Sequence, residues 1–140
     1  MARTTSRHRR RTEAIRPGQH YGPRVPGRRR RMQVAAAEAA WRTAAQTVAR
    51  FSGYPLDRIL EARRPGKPRI AGLAFAQSAA IYLAVTVFDT RQYYLALALG
   101  RPRRRIHAIC HAVEDRRDCP EIDRLLGTME RVLSCPEATL

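Results

Sequence analysis

The sequence predicts an all-α protein: a small helical domain over residues 32–140 that carries a helix-turn-helix, preceded by a disordered basic tail over residues 1–31. Three observations lead there. Residues 1–31 are rich in Arg, Gly and Pro and show no apolar period, with Ile15 and Val25 standing isolated. Beyond Met32 the apolar residues recur three and four apart, the spacing of one helix face. Between Asp89 and Asp118 two such blocks meet at Gly100, Arg101 and Pro102, a helix stop followed at once by a helix start.

The tail buries too little apolar surface to offset the entropy of ordering it. It is also too broken by Pro and Gly for the amphipathic helix of a transit peptide. The first helix is expected from Met32 to about Ser52. Trp41, Ala44, Ala45 and Val48 form its inward stripe, Phe51 closes that stripe and Gly53 ends the helix. Trp41 reads as a core anchor rather than a base-stacking platform. Pro55 precedes a shorter helix, Leu56 to Arg63, with Leu56, Ile59 and Leu60 inward.

Two prolines and a glycine exclude regular structure from Ala62 to Arg69, which leaves a loop charged by Arg63, Arg64, Lys67 and Arg69. Residues 70–88 carry no charge. Alanines, with Gly72, Gln77, Ser78 and Thr86, make the stretch too weakly apolar for a membrane span, so it is expected to be the central helix, covered on several sides.

Asp89 or Thr90 is placed to cap the next helix, whose Leu95 and Leu99 share a face. Gly100 suits a left-handed stop, and Pro102 opens the second helix, with Arg103, Arg104 and Arg105 on its first turn. Ile106, Ile109, Cys110 and Val113 point to a core. At 100° per residue Arg101, Arg104, Ala108 and His111 fall opposite, flanked by Arg105 and His107. Asp118 or Cys119 caps a last helix with Pro120 in its first turn and Ile122, Leu125, Leu126, Met129 and Leu133 inward. The terminus after it is loose.

Charge points to the partner. The net charge is +15, and of the basic residues all but Lys67 are arginine. Residues 1–31 hold 11 Arg against Glu13, hence +10, and the remainder is +5. A polycation calls for a polyanion, nucleic acid before an anionic membrane surface. The tail clusters Arg9, Arg10, Arg11 and Arg28, Arg29, Arg30, Arg31 suit phosphate contacts, and the Arg63–Arg69 loop suits a backbone or minor groove. On the second helix of the pair, arginine forks match guanine O6/N7 or phosphate, and small Ala108 lets the helix approach a major groove closely.

The other classes are thinner. An RNA-binding or ribosome-associated protein is the alternative, but Tyr82, Tyr93 and Tyr94 lie in helices with core positions to fill rather than on a stacking surface. No Gly-rich phosphate loop, nucleophile elbow or spaced carboxylate pair supports an enzyme or a cofactor. Cys110, Cys119 and Cys135 read as reduced thiols, expected in the cytoplasm. His107, Cys110, His111 and Cys119 imitate a zinc set but lack a paired C-x-x-C, so no metal is expected.

T-V-A-R-F, L-D-R-I-L-E-A-R-R, a basic loop, A-Q-S-A-A-I-Y-L-A, then L-A-L-A-L-G-R and a basic helix ending H-A follow one another from Thr47 to Asp118. This order resembles the C-terminal DNA-binding domain of the bacterial replication initiator DnaA, a helix-turn-helix of the Trp-repressor kind. The resemblance covers about half the chain. It implies a minor-groove role for Arg63 and Arg64, and Arg101 matches the family arginine after the turn glycine.

The next four family positions, Asp-His-Thr-Thr, read the initiator box; here they are Pro102, Arg103, Arg104 and Arg105. The resemblance therefore implies the same surface on a different DNA target. No G-x-x-x-x-G-K-[S/T] occurs, so the ATPase of the initiator is not expected. The expectation is a stand-alone relative similar to the gene transfer agent activators of alphaproteobacteria. Such a relative is a nucleoid-associated transcription regulator on double-stranded DNA, with RNA polymerase or another DNA-binding protein as candidate partner. Activation or repression, target sequence and oligomeric state stay open.

Overall fold

In the computed structural model, which describes residues 27–61 and 71–135, every regular element is a helix: α1 Arg28–Ser52, α2 Leu56–Leu60, α3 Ala71–Thr86, α4 Gln92–Leu99, α5 Arg103–Arg116 and α6 Pro120–Ser134. Arg9, Arg10 and Arg11, the rest of the tail up to residue 26, and the loop with Arg63, Arg64, Lys67 and Arg69 lie outside the described residues.

The helix α3 is the hub. Six consecutive residues, Ala79 to Ala84, are buried, which only a helix covered all round permits. Its alanines let neighbours approach closely, and α1, α2 and α5 all pack on it. Against it α1 lays Ala37, Trp41, Ala44, Ala45 and Val48, with Trp41 1% exposed. At 16 residues α3 is the apolar helix of the fold, and no helix among the described residues is long and apolar enough to cross a membrane. The short α2 adds buried Ile59, and its Arg58 carbonyl accepts a 2.9 Å hydrogen bond from Gln77 Nε2 on α3.

Several local expectations shift. The first helix begins at Arg28, not Met32, so Arg28 to Arg31 are its first turn rather than part of a disordered tail. That turn has no acidic residue and no side-chain cap, an arrangement the helix dipole opposes. Phe51 is 39% exposed, as is Leu125 on α6. Phe51 stands past Val48, the last buried residue of α1, while Leu125 lies about 70° at 100° per residue from the midpoint of buried Leu126 and Met129, at the edge of the packed face. The end of α1 is as expected: Gly53 takes φ 78° and its N–H closes on Ala49.

The link from α3 to α4 also differs. Neither Asp89 nor Thr90 caps α4; Arg91 occupies the cap position without a side-chain bond. Asp89 instead turns the chain with φ 49°, a left-handed conformation that Asp tolerates better than most residues. The α4–α5 turn follows expectation: Gly100 has φ 65°, and Arg101 N–H returns to the Ala96 carbonyl at 3.0 Å. Pro102 is the residue before α5 rather than its first, and its carbonyl accepts from Arg105 N–H at 2.9 Å. Cys119 precedes Pro120 in the same way at α6.

Candidate nucleic-acid interface

The helix α5 is divided into two sides. Beneath it Ile106 and Val113 are buried, with Ile109 and Cys110 half-buried, so α5 is held on α3 and α4 by aliphatic packing. On the other side Arg104, Ala108 and His111 are exposed, flanked by exposed Arg105 and His107, while Arg103 is exposed in the first turn, one turn before Ile106. Arg101, in the turn, is half-buried. The side chains of Arg103, Arg104 and Arg105 make no ion pair or hydrogen bond among the described residues. His107 and His111, one turn apart, meet edge to face with ring centroids 4.5 Å apart.

Charge on the N-terminal turns of this side is of one sign. From Thr90 to Val113 the sequence holds no carboxylate, the first being Glu114. A desolvating partner here meets arginine forks and imidazoles over a one-residue opening at Ala108, and the carboxylate of α5 on this side, exposed Asp115, stands one turn beyond His111 at the end away from the arginines.

The C-terminal end of α5 is tied differently, by a polar network that helical spacing gives no sign of. Tyr82, buried in α3, donates its hydroxyl hydrogen to Glu114 Oε2 at 2.6 Å. Arg117 Nη1 donates to the same hydroxyl at 3.0 Å and to Glu130 Oε1 of α6 at 2.5 Å, and its Nε reaches Asp123 Oδ1 at 2.7 Å. The hydrogen bonds to Glu130, Asp123 and Tyr82 raise the pKa of the Arg117 guanidinium, which stays charged. Nearby, Arg116 lies over the Phe75 ring at 4.4 Å from its centroid. In sequence Glu114 to Asp118 is only a polar stretch. The signal that marked it was a tyrosine hydroxyl inside an otherwise apolar helix, which when buried needs a partner.

A second arginine group enters from α1. Arg30 stacks its guanidinium 5.4 Å from the centroid of Tyr93, at the start of α4, and also donates to the Tyr93 hydroxyl. Arg28, Arg29 and Arg31 are exposed beside it. Thus Arg101, Arg103, Arg104, Arg105, Ala108 and His111 come together on or beside α5, while Arg28 to Arg31 gather at the opposite end of α4. Among the described residues, no group of three or more His, Cys, Asp and Glu has the arrangement a metal ion requires.

Comparison of the chain with protein-family models, with curated proteins and with solved structures gives no match.

Proposed function

We propose that the chain binds double-stranded DNA by laying the exposed side of α5 in the major groove, and that it acts in this way as a transcription regulator on the nucleoid. The observation that carries the reading is the triplet Arg103, Arg104 and Arg105: exposed, without side-chain partners among the described residues, and mounted on a helix whose underside is buried. Guanidinium groups presented rigidly lose less entropy per bond formed with guanine or phosphate than the same groups on a flexible chain. Gly100 and the Arg101–Ala96 bond hold α4 and α5 in a helix-turn-helix relation.

The loop arginines Arg63 and Arg64, with Lys67 and Arg69, are proposed to contact the minor groove or backbone, and Arg9, Arg10 and Arg11 to add affinity without selectivity. The arginines at 103–105 make the proposed target different from the box read by the replication initiator, to whose DNA-binding domain the chain is proposed to be related.

Mapping of bound DNA across the native genome tests the reading. The expected result is a set of discrete sites sharing a motif near promoters. Uniform occupancy, or tighter binding of an RNA hairpin than of duplex at moderate salt, would overturn it.

A further inference from the structure

We propose that Arg28, Arg29 and Arg31 form a second phosphate clamp, held in place by the Arg30–Tyr93 contact, so that a duplex is gripped at both ends of α4. The inference rests on the DNA-binding reading above and adds a fixed position to charges that sequence assigns only to a tail.

One of the four arginines is used as a lock. Arg30 covers the Tyr93 ring and donates to its hydroxyl, and Tyr93 in turn sets its edge against Tyr94 at 5.3 Å between centroids. The side chains of the other three have no hydrogen-bond or ion-pair partner among the described residues. No carboxylate lies between Gly27 and Ala37, so nothing in that stretch neutralises them.

The exposed residues of α4 connect this group to α5. Tyr93, Leu97 and Gly100 are exposed at i, i+4 and i+7, one stripe that starts at the lock and ends at the turn into Arg103. A helix of eight residues is about 12 Å long, which is also about the width of the major groove of B-DNA. With α5 in the groove, one length of α4 therefore carries Arg28, Arg29 and Arg31 to the phosphates along its edge. Repulsion among four like charges on one turn is relieved by a polyanion.

The test is the salt dependence of binding by the full-length chain to a random-sequence DNA duplex, followed by fluorescence anisotropy. Each phosphate contact adds about 0.9 to the slope of log K against log salt, so replacing Arg28, Arg29 and Arg31 by Ala should lower the slope by about 2 to 3. Tyr93→Ala keeps every charge but frees the lock, and should lower the slope by about 1 or more. Helicity by circular dichroism should be retained in both, since all four side chains are exposed.

An unchanged slope in the triple variant would overturn the clamp. A lower slope in the triple variant with no change for Tyr93→Ala would overturn its fixed position. Should the wild-type chain bind an RNA hairpin and no duplex, the DNA-binding reading itself fails, a result that neither variant is needed to see.

Discussion

Arg117 donates from Nη1 to the hydroxyl of Tyr82 at 3.0 Å, and this contact joins the residue after α5 to the buried middle of α3. With Glu114, Asp123 and Glu130 on the same network, three helices are fastened at the end of α5 away from the arginines. The tilt of the basic side of α5 is thus set at both ends, by apolar packing at Ile106 and by charge at Arg117.

Arg117→Ala is expected to destabilise the fold by about 2–3 kcal/mol, because Glu130, Asp123 and Tyr82 lose a charged donor together. Urea unfolding measures this, with the m-value unchanged if the compact state is preserved. A loss below about 0.5 kcal/mol would mean that the network contributes nothing measurable.

Alkaline pH should expose the Tyr82 contact. Burial, and then the hydrogen bond to Glu114, push the Tyr82 pKa above the usual 10.0 against the lowering effect of Arg117. The folded state therefore holds that proton more tightly than the unfolded one. The resulting stabilisation is complete below the unfolded pKa and lost as pH rises through the folded value. As pH rises through about 10 and above, stability should fall less steeply for Tyr82→Phe than for wild type in denaturation curves. Parallel curves would show that the tyrosine proton is not linked to folding.

Cys110 should be the slow thiol. Burial raises its pKa from the usual 9.0 to about 11, whereas Cys119 and Cys135 are exposed. Since the thiolate is the reacting species, a disulfide reagent near neutral pH should label two cysteines quickly and the third at least about tenfold more slowly. Three equal rates would contradict the half-buried position of Cys110.

Gly100→Ala isolates backbone strain from packing. A Cβ there meets nothing within 4 Å, yet φ is 65°, a region costing a side chain on the order of 1 kcal/mol. Thermal unfolding should show a loss of about that size. A neutral outcome would mean the turn adapts without strain.

Arg104→Ala is expected to remove discrimination at one base pair of the target, at about 1–3 kcal/mol, while nonspecific affinity changes by one phosphate contact at most. Replacing Arg9, Arg10 and Arg11 should weaken all DNA alike. Competition between target and random duplex measures both, and an unchanged ratio for Arg104→Ala would remove that residue from base readout.

Much of this fold is legible along the chain. Trp41, Ala44, Ala45 and Val48 announce one packed face, Gly53 and Gly100 announce left-handed ends, and Ile106 and Val113 announce the underside of α5; all depend on neighbours within a few residues. The misplaced features depend on more distant ones. Phe51 and Leu125 match helical spacing, but the first lies past the last buried residue of α1 and the second at the margin of its stripe, where exposure is decided by how far the neighbouring helix extends. Asp89 reads as a cap, but the crossing from α3 to α4 makes it a left-handed turn residue instead.

The amino-acid order alone determined the helices, their apolar faces and the turn between α4 and α5, because helical period and the conformational range of Gly and Pro act locally. Tertiary structure decided the rest. Arg30 meets Tyr93 across 63 positions, and Arg117 meets Tyr82 across 35. Neither pairing has a period or a spacing that could announce it. A hydrogen bond forms wherever packing brings donor to acceptor, and only the assembled helices supply that proximity.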